Sequence, residues 1–369
     1  MDSKVSRRGF LIGLTGSALA VAAGCRPSTL PPIPTLYAPG STLSPTDVPQ
    51  ATKVFTAADA VPDPTYGSVT YNSILTTSAE KLYDTQYDYN KTPTIYAANW
   101  SLRIDGLVDN PLTLHYQDVK EMPAYEEMRT IECIGNPVGG GLIGNVVWRG
   151  FHMEDVLSKL GIKKEATHAK FEAADGYSTS VELKWIMQPN VMMAYQMNGA
   201  PLTTTHGFPL RIMMPGLYGQ KMPRWIQHIE FIAQDYIGFW EGNGYSNIAT
   251  VKTNSLIQSP PDNAKVGVGR RVEIEGVAYG SPRKITKVEI RIDGGDWTPA
   301  QIVNGPNNLT WTQWWAEWVP TTTGSHQVAV RATDESGFVQ SHDNSGIFGS
   351  DSRDGTDAIH AINLQAITI

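Results

Sequence analysis

The sequence predicts a mixed α+β domain followed by an all-β sandwich, both behind an export signal and a tether. Short strand-like and helix-like segments are mixed over residues 68–253, whereas residues 254–369 contain short alternating strands separated by turn residues. The chain has 369 residues, enough for two hydrophobic cores, and its 41% hydrophobic and 18% charged content is typical of a soluble globular protein. Its net charge of -7 offers no basic face, which excludes nucleic-acid binding.

Residues 1–25 have the layout of an export signal. The motif Ser6–Leu11 (SRRGFL) precedes a short apolar run, which is the order of a twin-arginine signal. The segment Ala22–Cys25 (AAGC) resembles a bacterial lipobox, whose cysteine is lipidated after cleavage. We therefore expect export by the twin-arginine route to the periplasm or the outer face of the cell membrane, with membrane contact only through a lipid anchor.

Residues 26–67 are predicted to form a tether. They are rich in Pro, Ser and Thr, a composition that buries too little apolar surface to fold. The globular part is therefore expected to begin near residue 68.

The stretch of residues 130–150 is the centre of the first domain. The run Met128–Glu132 predicts a strand, and Cys133 follows it at the start of a glycine-rich turn. The other cysteine, Cys25, falls in the signal, so the mature chain has one thiol and cannot form an internal disulfide. A cysteine in this setting suits a metal-bound thiolate; the alternative is an inert, buried side chain.

A second constellation surrounds a predicted strand near residue 212. His206–Arg211 (HGFPLR) precedes it, and Gly216–Trp225 (GLYGQKMPRW) follows it. Arginine forks, a lysine and glycine amides can converge on one anionic group. The chain has no Walker or dinucleotide-binding glycine motif, so a nucleotide is not the expected anion. The alternative is a charged turn exposed to water.

Together these motifs resemble the sulfite-oxidase-like family of molybdopterin enzymes, over most of the chain from residue 68. The matching segments are Cys133–Asn136 (Cys-x-Gly-Asn), Asp175–Tyr177, Ala194–Gly199, His206–Arg211 and Pro215–Trp225. The resemblance implies a molybdenum–molybdopterin cofactor (Mo-MPT) and an enzyme that transfers an oxygen atom.

The resemblance also implies residue roles. Cys133 is expected to be the protein ligand of molybdenum, and Tyr245 falls at the spacing of the family's substrate-site tyrosine. The expected cofactor-binding residues are Cys133 together with Tyr71, Asn72, Asn136, His206, Arg211, Gly219, Gln220, Lys221 and Arg224.

One departure from the family concerns the substrate. Sulfite oxidases follow Cys-x-Gly-Asn with two arginines, whereas this chain has Pro137 and Val138. A pocket without those charges binds a small dianion poorly, since its desolvation requires paired cations. Sulfite oxidation and reduction of a neutral acceptor such as a sulfoxide therefore both remain open.

The C-terminal part is predicted to be an immunoglobulin-like sandwich because its strands recur at short, regular spacing. The predicted strands include Arg271–Gly280, Ile285–Ile292, Trp311–Trp318 and His326–Thr333. Its tryptophans are interpreted as core residues. In the family this position belongs to a dimerisation domain, which implies a homodimer.

Electrons are expected to pass to or from a separate, cytochrome-like protein. The sequence has no Cys-x-x-Cys-His haem-attachment motif, and its two cysteines are too few for an iron–sulfur cluster. The alternative from another class is a non-catalytic, lipid-anchored protein that binds a solute or scaffolds partners. A third possibility is a cofactor-bearing protein without turnover. The metal content of the purified protein distinguishes the non-catalytic binding protein from the molybdenum enzyme.

Overall fold

The computed structural model describes residues 76–341 and 353–368. The expected signal, the tether and the two residues Tyr71 and Asn72 lie outside this described part. Within it, no helix is long and apolar enough to cross a membrane.

The first part of the fold contains ten strands and four short helices. The strands are β1 (Ser101–Gly106), β2 (Leu112–His115), β3 (Tyr125–Glu132), β4 (Ile143–His152), β5 (His168–Ala173), β6 (Ser178–Glu182), β7 (Met192–Met197), β8 (Ala200–Pro201), β9 (Arg211–Met213) and β10 (Ile226–Ile232). The helices are α1 (Tyr116–Glu121), α2 (Glu154–Leu160), α3 (Leu183–Ile186) and α4 (Phe239–Gly242). Short 3₁₀ turns occupy Tyr89–Lys91, Ala97–Asn99 and Gly219–Lys221.

One sheet has the order β2-β1-β10-β5-β6. Its strand β1 runs parallel to β10, and the other neighbours are antiparallel. Buried and partly exposed residues alternate along β1, so Leu102 and Ile104 face the core. Gly106 ends β1 at φ +85°, and a Cβ there would lie 2.4 Å from the Phe231 carbonyl oxygen. Only glycine therefore allows this close approach of the two parallel strands.

The second sheet has the order β3-β4-β7-β8, with β9 also paired to β7. Every residue of β4 is buried, which fits a strand covered on both faces. Side chains from both sheets share one core, in which Trp100, Trp148 and Tyr195 are the largest fully buried members. β3 delivers Cys133 directly after its last residue, Glu132.

The C-terminal part is made of strands. They are β11 (Asn254–Ser259), β12 (Lys265–Gly267), β13 (Val272–Tyr279), β14 (Ile285–Ile292), β15 (Thr298–Pro299), β16 (Gln301–Asn304), β17 (Thr312–Trp318), β18 (Gly324–Asp334) and β19 (His360–Ile367). Two sheets, β11-β13-β17-β16 and β12-β19-β18-β14-β15, contribute to one core that includes Ile274, Trp314, Val330 and Leu364. The expected β-rich C-terminal domain is thus confirmed, and Trp314 is a core residue.

The C-terminal sheets are bonded to β3, the strand that precedes Cys133. Thr130 donates its backbone N–H to the Leu309 carbonyl at 2.8 Å and accepts the Tyr279 hydroxyl at 3.1 Å. The Thr130 hydroxyl oxygen accepts the backbone N–H of Trp311 at 2.8 Å. Asn254 Nδ2 donates to Glu132 Oε2 at 3.0 Å. The position of the cysteine therefore depends on both parts of the fold.

Candidate active site

A cavity of about 200 Å³ opens at the end of β3, with room for far more than one water molecule. Cys133 lies in its wall, where its backbone N–H donates to the Leu142 carbonyl at 2.9 Å. The Asn136 N–H in turn donates to the Cys133 carbonyl at 3.0 Å. The glycine-rich segment is therefore a tight turn that presents the thiol to the cavity.

Cys133 is a half-buried free cysteine. Burial raises the pKa of its thiol, although the Gly135 amide and the Thr85 hydroxyl oppose this rise. The bare site therefore favours the thiol, and a cation must be added for the thiolate to persist. A metal ion supplies that charge, because a coordinated thiol is deprotonated.

Two guanidinium groups face the same cavity. Arg211, on β9, is buried; it has a 3.3 Å contact from Nη1 to the His206 carbonyl, and its guanidinium lies 5.0 Å from the Trp148 ring. Burial and the nearby Arg224 lower the pKa of Arg211 to about 9. Arg224 donates to backbone carbonyls, among them that of Thr85 at 2.7 Å. Neither arginine has a carboxylate partner among the described residues, so the pair offers a positive site for an anionic group.

The other two expected cations, Lys221 and His206, do not line this cavity. Lys221 is fully buried, and its Nζ donates to Glu241 Oε1 at 2.5 Å and to the Ser180 carbonyl at 2.9 Å. His206 has its Nδ1 2.7 Å from Thr203 Oγ1. Neither side chain lines the cavity. Lys221 is already neutralised by Glu241, and His206 serves to hold local backbone.

Asn136 is also placed differently from the expected cofactor contact. Its Nδ2 donates to Glu132 Oε1 at 2.9 Å, and its Oδ1 accepts the Leu142 N–H at 2.9 Å. Burial raises the pKa of Glu132 to about 7, although hydrogen bonds from Asn136 and Asn254 oppose the rise. Asn136 therefore fastens the turn around Cys133 and does not line the cavity.

Gly219 and Gln220 line the cavity as expected for a cofactor-facing turn. Gln220 Nε2 donates to Glu241 Oε1 at 3.0 Å, while its buried Oε1 has no partner. The buried Tyr83 hydroxyl and Arg211 Nε, also in the wall, lack partners as well. Such groups call for a ligand that donates and accepts hydrogen bonds. A phosphate joined to a heterocycle with ring nitrogens meets this requirement beside the two arginines.

An aromatic wall faces Cys133. A Cβ placed on Gly135 would lie 3.8 Å from the Tyr245 hydroxyl and 3.9 Å from Cys133 Sγ, so these two groups flank one point. Tyr245 packs edge-on against Trp240, with ring centroids 5.1 Å apart. Asp175 also lines the cavity, and burial raises the pKa of its carboxyl despite a hydrogen bond from the Tyr177 N–H. Arg224 opposes the rise in pKa of both the Asp175 carboxyl and the Cys133 thiol, so the aromatic groups share this part of the cavity with a cation.

A segment that sequence reasoning missed completes the wall. Leu82, Tyr83, Thr85, Gln86 and Tyr87 all line the cavity. The sequence interpretation assigned the N-terminal cofactor contact to residues 71 and 72, which the structure does not describe. The dense aromatic and polar composition of residues 83–89 (YDTQYDY) was the signal that could have identified this segment.

Comparison with known proteins identifies the class. Residues 89–240 match the model of the oxidoreductase molybdopterin-binding domain, and residues 245–347 match the Mo-co oxidoreductase dimerisation domain. The chain is 37% identical over 179 residues to the uncharacterized oxidoreductase YuiH of Bacillus subtilis, covering 48% of this chain and 86% of that one. It is 31% identical to the sulfite oxidase of Arabidopsis thaliana, covering 56% of this chain and 65% of the relative.

More distant similarities agree with this class. A NADH nitrate reductase of Hordeum vulgare is 28% identical and is matched over 64% of this chain but only 33% of its own length. The sulfane dehydrogenase SoxCD of Paracoccus pantotrophus superposes with a TM-score of 0.65 at 23% identity, covering 73% of this chain and 76% of that one. The chain thus spans about a third of the nitrate reductase and just under two thirds of the plant sulfite oxidase.

Fold, site and matches define a molybdopterin-dependent oxidoreductase. The chain belongs to the sulfite-oxidase-like family, and its cofactor is molybdenum–molybdopterin. The buried arginines and the unpartnered wall groups fit this cofactor. When bound, it supplies two-electron oxygen-transfer chemistry. The alternative class, a non-catalytic solute-binding or scaffold protein, is therefore wrong, because the chain belongs to an oxidoreductase family.

Proposed function

We propose that this protein is an exported, lipid-anchored molybdenum oxidoreductase that reduces a small neutral S-oxide, such as a sulfoxide. The observation that carries the proposal is the distribution of charge around the cavity. Its two arginines are the only cationic side chains among its described lining residues, which also include the Asp175 carboxyl and the aromatic pair Trp240 and Tyr245.

The residue roles follow from this geometry. Cys133 holds the metal, and Arg211 and Arg224 bind the phosphate of the cofactor. Gly219 and Gln220 line the pterin. The Tyr245 hydroxyl, which flanks the same point as the thiol, donates a hydrogen bond to the oxygen of the substrate.

The charge argument favours a neutral substrate over sulfite. If both arginines bind the cofactor phosphate, none remains to offset the desolvation of a sulfite dianion. Asp175 adds a repulsive charge at the same cavity whenever it is ionised. A sulfoxide has a polar oxygen for Tyr245 and apolar substituents for the aromatic wall. Sulfite oxidation is the second candidate, supported by the 31% identity to a sulfite oxidase.

Export, electron supply and assembly complete the proposal. The twin-arginine motif and lipobox support export and a lipid anchor. The scarcity of cysteines supports electron supply by a separate, cytochrome-like protein. The dimerisation-domain match and the two packed C-terminal sheets support a homodimer formed through an immunoglobulin-like domain, residues 254–369. The preceding residues 68–253 form the molybdopterin-binding domain.

The test combines metal analysis with a paired substrate assay. Protein from a molybdate-fed host is expected to contain about one molybdenum per chain and to oxidise a reduced viologen dye when sulfoxide is added. The Cys133→Ser variant is expected to lose both properties, because an alcohol does not replace a thiolate as a ligand. Met187→Ser, at an exposed position, is the control.

The outcomes separate the candidates. Dye oxidation with sulfoxide and no ferricyanide reduction with sulfite supports the proposal. The reverse result would establish sulfite oxidation in its place. Molybdenum-loaded protein that turns over neither substrate would contradict both and would support a cofactor-bearing protein without turnover on these substrates.

A further inference from the structure

A second cavity lies away from the active site, on the outer face of the sheet β11-β13-β17-β16. Its volume is about 330 Å³, larger than that of the active-site cavity. Gly140, Gly141, Thr76 and Thr77 close its opposite side. None of the described residues assigned to the cofactor lines it.

The register of the strands determines its polar wall. Side chains of one strand alternate between faces, so Trp314 enters the sandwich core while Gln313 and Trp315 point to the outer face. Glu275 lies opposite Trp315 across the strand pair, and Glu273 is two residues away on the same face. The wall therefore combines an indole, a carboxamide and two carboxylates.

Besides Trp314 Nε1, on a side chain of the sandwich core, two buried donors in this wall lack hydrogen-bond partners among the described residues. Gln313 is 7% exposed and Trp311 is 5% exposed, and both line the cavity. The two unpaired donors are Gln313 Nε2 and Trp311 Nε1. Buried N–H groups in native proteins are nearly always paired, so these two indicate a missing acceptor.

The two carboxylates offer acceptors at the same cavity, with Glu273 exposed and Glu275 partly buried. Neither Glu273 nor Glu275 forms an ion pair with a described residue, and Lys81 is the one cationic side chain among the described lining residues. Burial raises the pKa of Glu275, and repulsion by Glu273 adds to this rise. The cavity thus needs an occupant that donates to oxygen and accepts from nitrogen.

Charge excludes the simplest ligands. A small anion meets two carboxylates, whereas a small cation leaves both N–H groups unpaired. A hydroxyl group is both donor and acceptor, so a ring with adjacent hydroxyls can satisfy both sets of groups.

We propose that this cavity binds a neutral ring bearing vicinal hydroxyl groups, either a free sugar or the ribose of a nucleoside. Glu273 and Glu275 accept its hydroxyl hydrogens, and Gln313 and Trp311 donate to its oxygens. This proposal is independent of the oxidoreductase substrate.

Calorimetric titration of the full-length, molybdenum-loaded protein tests it. The probes are glucose, N-acetylglucosamine, ribose and adenosine, with tetramethylammonium and acetate as charged comparators. We expect at least one of the four hydroxylated probes to bind with a Kd of about 1 mM and the two ions not to bind. Binding of sugars alone indicates a free carbohydrate, and preference for adenosine indicates a nucleoside; both support the proposal.

Variants locate the binding. Gln313→Leu and Glu275→Gln are each expected to weaken the affinity about tenfold without changing turnover, since both lie outside the active-site wall. Gln327→Leu, at an exposed position on β18, is the matched control and is expected to bind normally. The proposal is overturned if none of the hydroxylated probes binds, if a charged comparator binds instead, or if Gln313→Leu binds like the parent.

Discussion

Replacing Lys221 with Met tests whether this lysine stabilises the protein itself or binds the cofactor. Its ammonium group is fully buried and lies 2.5 Å from a Glu241 carboxylate that is 1% exposed. Removing one member of a buried ion pair leaves an uncompensated charge, which typically costs 3–5 kcal/mol. Glu241 keeps hydrogen bonds from Thr179 at 2.6 Å and Gln220 at 3.0 Å, so we expect the lower end, about 3 kcal/mol.

The assay is urea unfolding of protein from a host that cannot make molybdopterin. The Lys221→Met variant is expected to unfold at a clearly lower urea concentration than the parent. The double variant Lys221→Met/Glu241→Leu is expected to recover much of the loss, because no buried charge remains. If the single variant matched the parent here and lost stability only in molybdenum-loaded protein, Lys221 would be a cofactor ligand and our interpretation would be wrong.

Three further predictions concern other parts of the molecule. Gly106→Ala should destabilise the protein by about 3 kcal/mol, because the new Cβ sits at a positive φ and clashes with the Phe231 carbonyl of β10. An unchanged melting temperature would contradict the close approach of β1 and β10. Burial lowers the pKa of His228, but the hydrogen bonds that its ring donates to the Glu172 and Asp105 carboxylates outweigh this and leave the pKa raised. The stability that protonated His228 contributes is therefore complete below its ordinary pKa of 6.5 and is lost as pH rises through the folded-state pKa. In urea titrations, His228→Gln should therefore cost more stability at pH 6 than at pH 9. Equal losses at the two pH values would refute this. Arg211→Met should reduce molybdopterin content, measured after extraction, at least about tenfold with the fold retained by circular dichroism; full content would remove this arginine from the phosphate site.

The position of Cys133 was predictable from sequence because its determinants are local. The β-branched run before it forms β3, and the glycines after it form the tight turn. The turn at Asp175 and Gly176, residue types typical of a hairpin, likewise joins β5 to β6. Adjacent residues set both features, so periodicity and turn chemistry were sufficient.

The orientation of the cations was not predictable because it depends on distant partners. Lys221 and Arg224 lie in one short turn, yet one pairs with Glu241 and the other faces the cavity. Glu241 lies on α4, twenty residues further along the chain, and nothing in the motif indicates their contact. A pattern of basic residues therefore predicted an anion site but could not indicate which of its members face the cavity.

The bonds between β3 and the C-terminal sheets have a consequence for the order of biosynthesis. Thr130 is fixed by Tyr279, Leu309 and Trp311, which leave the ribosome about 150 residues or more after it. The strand that presents the thiol therefore reaches its final position only when the C-terminal domain has been made and docked. Loading with molybdopterin then becomes a late event on a complete chain, and truncated or stalled chains lack a finished metal site.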